Sequence, residues 1–267
     1  MLSLKPDYSG AFSDLVHGIA AAQIWLRLGW QEVKRRYRRT TFGPFWTTLG
    51  VGMYIGAYAF LLPRLFHVDM SQYLPYVATG MVAWTFVTAL ITEGCATYTA
   101  AVGLIQQLSF PFAVLNCMVI WRNIIVFFHN LVIVVIVVVL LKVPVTWNTL
   151  LLFPGLLIVS LNGMWITILL GMISTRFRDV PPLVGNLVSI MIFVTPVFFF
   201  ITQLGPRSRH LMNLNLLLHL VEVLRAPMLG QVPPLISYEA TIGSAVVGLI
   251  ATFVIYARFR PRIAYWL

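Results

Sequence analysis

Glu32-Val33-Lys34-Arg35-Arg36-Tyr37-Arg38-Arg39-Thr40-Thr41-Phe42-Gly43-Pro44-Phe45-Trp46 sets five basic side chains directly before a stretch that runs almost uncharged for the length of a bilayer. A basic segment feeding an apolar span marks a membrane entry. Three expectations follow: the chain is integral to a membrane, its N-terminus is cytoplasmic, and a surface helix precedes the first crossing. On a helix, Leu26, Trp30, Val33 and Tyr37 lie four, three and four residues apart and share one narrow face, with the charges over the rest. Such a helix lies on the membrane rather than crossing it.

Working outward, the composition agrees. Of 267 residues, 60% are hydrophobic and 10% charged, whereas about a quarter are charged in an ordinary soluble domain. A bilayer core needs about 20 apolar residues per helix. Six stretches qualify, at 43–63, 73–94, 117–141, 149–173, 184–203 and 241–258. Pro196 lies inside the fifth and is expected to kink it. The fold expected is all-α and polytopic, a single domain over 1–267. It divides into a cytoplasmic N-terminus with its interface helix over 1–42, six transmembrane helices over 43–258, and a cytoplasmic tail over 259–267.

Thirteen of the eighteen lysines and arginines fall on the side of the termini and five on the other, which puts both ends in the cytoplasm. The net charge of +10 is therefore an orientation signal, and no nucleic-acid partner is expected. Trp46, Trp84, Trp147 and Trp266 read as interface markers. On the outer side, Leu214, Leu217, Leu218, Val221 and Leu224 fall at helical spacing, with Glu222 and Arg225 three apart. Short re-entrant helices are expected there, ending near Gly230.

No phosphate-binding loop is encoded, because none of Lys5, Lys34 and Lys142 follows a glycine. If ATP drives this protein, a partner binds it. Glu93 and Asp179 are the carboxylates nearest to spans, both at the interface, which argues against a proton relay. Glu93 and Arg122 are expected to pair at the ends of spans two and three. The five histidines are scattered, Cys95 and Cys117 lack metal-ligand spacing, and no catalytic constellation is visible. Neither a metal site, a cofactor bound by this chain nor an enzyme activity is expected. Tyr54 and Tyr58, one turn apart, and Phe193, Phe198, Phe199 and Phe200 are aromatic faces suited to core packing, lipid contact or stacking on sugar rings.

Three segments carry a family resemblance. Lys34 to Thr40 leading to Gly43-Pro44-Phe45-Trp46 resembles the basic interface helix and first-span start of the membrane subunit of ABC-2-type exporters of lipid-linked polysaccharide, the O-antigen permeases especially. Arg176-Phe177-Arg178-Asp179-Val180 resembles that family's Arg-x-Arg-Asp turn. Arg258-Phe259-Arg260-Pro261-Arg262-Ile263-Ala264-Tyr265-Trp266-Leu267 resembles its C-terminal tail, the most specific of the three. Leu104-Ile105-Gln106-Gln107 with Phe110-Pro111 is similar to the coupling segment, although it lacks the usual basic residues, and Val221 to Gly230 is similar to the external gate helices.

The resemblance implies a homodimer in the bacterial inner membrane, docked on a separate ATP-binding subunit that holds ATP and magnesium, and exporting undecaprenyl-diphosphate-linked glycan. Under it, Tyr54, Tyr58, Phe193, Phe198, Phe199 and Phe200 line the substrate path, and Arg36, Arg38 and Arg39 gather the diphosphate head group. Leu104, Gln106, Gln107 and Phe110 contact the ATPase, and Glu222 and Arg225 belong to the periplasmic gate. Capsule or teichoic-acid export, a small-molecule or lipid ABC-2 permease, and an integral glycosyltransferase or lipid phosphatase are the alternatives.

Overall fold

The computed structural model describes residues 6–267 apart from 39, 42, 44, 67 and 204. Every regular element among them is helical. Two short helices lead, α1 (Tyr8–Ala20) and α2 (Ala22–Arg36). Long helices α3 (Phe45–Phe66) and α4 (Met70–Cys95) follow, then the short α5 (Val102–Gln107) and the long α6 (Ala113–Leu141) and α7 (Leu152–Arg176). The chain ends with α8 (Val180–Val194), α9 (Pro206–Met212), α10 (Leu216–Met228) and the long α11 (Leu235–Trp266).

Among the described residues, five segments are long and apolar enough to cross a membrane: Phe45–Arg64, Met70–Cys95, Ala113–Leu141, Trp147–Arg176 and Leu235–Trp266. At the centre is α4, two-thirds buried over its most apolar window, with α3, α6, α7, α8 and α10 packed on it. Trp84 sits in the middle of this helix at 5% exposure, so it is a core residue and not the interface marker expected.

The fifth expected span is not one kinked helix. The fifteen residues of α8 reach about 22 Å, short of the roughly 30 Å of a hydrocarbon core. Thr195 is extended at φ −93° and ψ 130°, as a residue before proline prefers, and the helix stops there. The carbonyls that lose helical partners find others on α4: Tyr73 Oη donates to Phe198 O at 2.7 Å and Tyr76 Oη to Pro196 O at 3.0 Å. Inside a membrane such substitutes are what make irregular backbone tolerable.

Both chain ends meet at one end of the bundle. Asp7 N donates to Ala257 O at 2.9 Å, and α1 packs on α11 and the start of α6. Of residues 259–267, expected as a tail, those up to Trp266 are the last turns of α11, anchored by the fully buried Ile263. The expected surface helix corresponds to α2, and a further helix, α1, precedes it across a break at Ala21. The side of α2 that packs on the bundle is turned by about one residue, or 100°, from the apolar face expected to lie on the membrane. Trp25, Leu28, Gly29 and Val33 point in, while Trp30 is 47% exposed. At the opposite end, Gly230 closes α10 at φ +72°, where an added Cβ would lie 2.6 Å from Pro144 O, so both conformation and space select glycine.

Candidate functional site

The terminal end of the bundle carries a cluster of charges. Arg122, on the third turn of α6, donates through Nη2 to Glu93 Oε2 at 2.7 Å and through Nε to the same oxygen at 3.2 Å. Its Nη1 pairs with Glu32 of α2. Arg36 Nη2 reaches Glu93 Oε1 at 3.0 Å, and Asn123 Nδ2 reaches Glu93 Oε2 at 2.8 Å. The expected contact of Glu93 with Arg122 is therefore one edge of a four-charge clamp that ties α2 to α4 and α6. Burial disfavours the charge on Arg36, but the Glu93 carboxylate more than offsets this and raises its pKa.

A cavity of about 940 Å³ opens beside this clamp. One wall is α2 and the turn after it, with Lys34, Arg35, Arg36 and Arg38; the other is the connection between α4 and α6, with Ala100, Gly103 and Leu104. Two of the three arginines expected at a head-group entrance thus line one basic wall. Arg39 lies outside the described residues.

Within the connection, Leu104 and Phe110 lean on the core that contains Tyr98, Leu115 and Ile168. Burial pushes the Tyr98 phenol well above its usual range. Gln106, Gln107 and Leu108 are exposed, Leu108 by 59%. Of the four residues expected to meet a partner, the two glutamines face outward and the two apolar ones are turned inward. Leu108, which the sequence reading passed over, is the apolar side chain presented to solvent.

Asp14 is a second node that the sequence reading missed. Its carboxylate is completely buried and accepts from Phe112 N at 3.1 Å, Ala113 N at 3.0 Å, Tyr256 Oη at 2.7 Å and Arg260 Nε at 3.0 Å. It caps the start of α6 and joins α1 to the end of α11, satisfying amide groups that a helix N-terminus leaves open.

The six aromatics expected on a solute path divide. Tyr58 stacks on Phe198 with centroids 5.0 Å apart, and Phe198 touches Phe193 at 5.9 Å and Phe199 at 6.4 Å. Tyr54 is 62% exposed on α3. Phe193 and Phe200 do not share a helical face, because α8 ends between them; Phe200 packs instead on Tyr76 and Tyr73, at 4.4 Å and 6.2 Å.

Glu222 and Arg225 are one turn apart on α10. Arg225 Nη2 lies 3.1 Å from Glu222 Oε2, close enough for an ion pair but not aligned for a hydrogen bond. Arg225 Nη1 donates to Pro196 O at 2.8 Å, linking α10 to the turns after α8. Among the described residues no group of three or more His, Cys, Asp or Glu side chains is arranged to hold a metal ion.

A family model described as ABC-2 type transporter matches residues 23–229. A protein of Myxococcus xanthus described as O-antigen export system permease protein RfbA is 24% identical over 187 residues, covering 70% of this chain and 72% of that protein. One of Klebsiella pneumoniae with the same description is 20% identical over 233 residues, covering 86% of this chain and 88% of that protein.

Proposed function

The chain belongs to the ABC-2 type transporter membrane family, and from that premise we propose that it is the membrane subunit of an ATP-driven exporter. The cargo is a polysaccharide carried on undecaprenyl diphosphate, of the O-antigen class, and the direction is outward across the bacterial inner membrane. Two copies assemble with two copies of a separate ATP-binding subunit.

The observation that carries this reading is the gathering of both chain ends, basic α2 and the α4–α6 connection at one end of the bundle. Ends on one side require an even number of crossings. With five long helices among the described residues, the sixth crossing falls to α8 together with the turns after it, whose carbonyls reach Tyr73 and Tyr76. The basic wall of the large cavity supports assigning that end to the cytoplasm. There it suits a diphosphate, since arginine meets phosphate oxygens bidentately. The exposed edge Gln106-Gln107-Leu108 supports docking of the ATPase.

A chromosomal null allele, complemented from a plasmid, tests the proposal. Undecaprenyl-linked glycan should accumulate inside the cell and vanish from the surface, and the plasmid copy should restore it. Surface polysaccharide unchanged in the null strain would overturn the proposal.

A further inference from the structure

The arginines at the terminal end of the bundle fall into two groups. Arg35, Arg36, Arg122 and Arg260 are paired with Glu32, Glu93 or Asp14. Arg176, Arg178, Arg258 and Arg262 form no ion pair among the described residues, and Asp179, next to Arg178 in the chain, is exposed and pairs with none of them. Three of these four meet instead on aromatic rings that join the last turns of α7 and α11. The Arg176 guanidinium lies 5.4 Å from the centre of the Trp266 ring, and Trp266 lies 5.9 Å from Phe259. Arg258 and Arg262 lie 5.8 and 5.7 Å from the same Phe259 ring. Ring faces hold cations in place but leave their mutual repulsion unanswered, so the cluster favours an anion that meets several of them at once.

The surface that leads to the cluster narrows the chemistry of that anion. Along α11, Val247, Ile250, Val254, Arg258, Arg262 and Tyr265 follow one another at steps of three or four residues and form a single stripe. Its first three members are exposed within a segment long and apolar enough to cross a membrane. Arg258 follows them directly and is exposed, and Tyr265 ends the stripe at 81% exposure, as an aromatic side chain at head-group depth does. On α7, Ile173 and Phe177 are likewise exposed on either side of Arg176. A soluble anion, or an acidic segment of a soluble protein, would use the arginines and leave the apolar stripe unused. An amphiphile uses both, with a hydrocarbon chain along the valines and isoleucine and a phosphate at the guanidinium groups.

We propose that the ends of α7 and α11 form a binding site for an anionic phospholipid from the leaflet on the side of the chain termini. Its phosphate accepts from Arg258 and Arg262, with Arg176 closing the site from α7, and guanidinium groups suit phosphate oxygens through paired hydrogen bonds. One acyl chain lies along Val247, Ile250 and Val254. Arg260, between the two head-group arginines, is held by Asp14, so a lipid seated here steadies the same turns of α11 that anchor α1. The inference needs only a chain embedded in a membrane, and neither the cargo nor the direction of transport enters it.

Native mass spectrometry of the full chain in detergent tests this, with dioleoyl phosphatidylglycerol, dioleoyl phosphatidylcholine and soluble glycerol 3-phosphate as probes. The phosphatidylglycerol adduct should form at lower concentration than the phosphatidylcholine adduct, and glycerol phosphate should not bind in the same range. Each of Arg258→Gln and Arg262→Gln should weaken phosphatidylglycerol binding about fivefold, and the two together about 30-fold, from the usual attraction of a basic residue to anionic lipid. Arg27→Gln removes the same charge from an exposed position of α2 and should change nothing. Arg258 is exposed, so its variant keeps the fold and decides the matter if Arg262→Gln does not. Equal binding of the two lipids, an equal loss in Arg27→Gln and Arg258→Gln, or glycerol phosphate bound as tightly as the lipid would each overturn the proposal. So would undiminished lipid binding in the double variant, and if that variant also failed to retain the ATP-binding subunit on co-purification, the cluster would be a protein contact instead.

Discussion

Asp14 and Arg260 stand 246 positions apart in the chain and 3.0 Å apart in the fold. Their contact closes the two ends of the polypeptide onto one another, with Tyr256 and the first amides of α6 sharing the same carboxylate. The N-terminal helices are therefore held by the bundle as well as by any membrane surface. Movement of α1 must pass to α6 and α11, because one buried group joins all three.

Asp14→Asn tests that node. The substitution preserves shape but removes the charge and turns one acceptor oxygen into a donor among donors. Breaking a buried ion pair in this way costs about 3–5 kcal/mol. The purified variant should lose its tertiary structure several degrees below the wild-type temperature in detergent. Tyr256→Phe, which deletes one of four bonds, should cost about 1 kcal/mol.

The clamp at the terminal end predicts non-additivity. Arg122→Gln leaves Glu32 and Glu93 without their shared partner, so it should destabilise more than Arg122→Gln combined with Glu93→Gln. A coupling energy of about 1–3 kcal/mol is expected from the thermodynamic cycle. Losses that simply add would mean that each group is solvated independently.

How far these features could be read from the chain depends on the distance over which they act. Long apolar runs declare themselves, and Glu93 and Arg122 were legible because each is a charge at the end of such a run. Asp14 was not, since its partners lie 98 to 246 positions away and nothing local distinguishes it from a solvated aspartate. The side of α2 that packs on the bundle was not legible, because Trp25, Leu28, Gly29 and Val33 make a less regular apolar stripe than Leu26, Trp30, Val33 and Tyr37. Gly29, which carries no pattern signal, sits at the contact with α6. Pro196 announced a disturbance, but whether helix resumes beyond it depends on Tyr73 and Tyr76, more than a hundred residues earlier.

Gly29→Leu probes the side of α2 that packs on α6. Even a Cβ at this position would lie 2.8 Å from Trp121 Cδ1 and 3.2 Å from Met118 O, so a larger side chain must lift α2 off α6. Glu32 would be carried away from Arg122. A cysteine pair across α2 and α6 that cross-links in the parent should cross-link far more slowly in the variant, whereas Trp30→Leu on the exposed face should leave the rate unchanged.

The cap of α1 gives a pH dependence with a defined sign. The Asp7 carboxyl is held below its usual value of 3.8 by the Gly10 amide and then by the Ser9 hydroxyl. Its folded pKa is thus depressed, so its contribution to stability is fully present above about pH 4 and is lost as pH falls through the lower folded value. Hydrogen exchange of α1 should be flat in protection between about pH 5 and 7 on this account. Asp7→Asn should abolish any loosening that sets in below about pH 4.

The connection between α4 and α6 separates two roles that its sequence mixes. Leu104 leans on the core, so Leu104→Asp buries a charge and should lower the amount of folded protein in the membrane, whatever the connection docks against. Leu108 is exposed, so Leu108→Asp should leave folding intact while weakening an apolar contact with a partner. If the ATPase docks here, the Leu108 variant should reach wild-type abundance, retain the ATPase poorly on co-purification and export little. Normal co-purification and export by Leu108→Asp, alongside reduced abundance of Leu104→Asp, would leave the connection as a structural element and move the docking surface elsewhere. Gln106→Leu distinguishes the remaining case. It adds apolar area to the same exposed edge, and should strengthen retention of the ATPase if that edge is the contact.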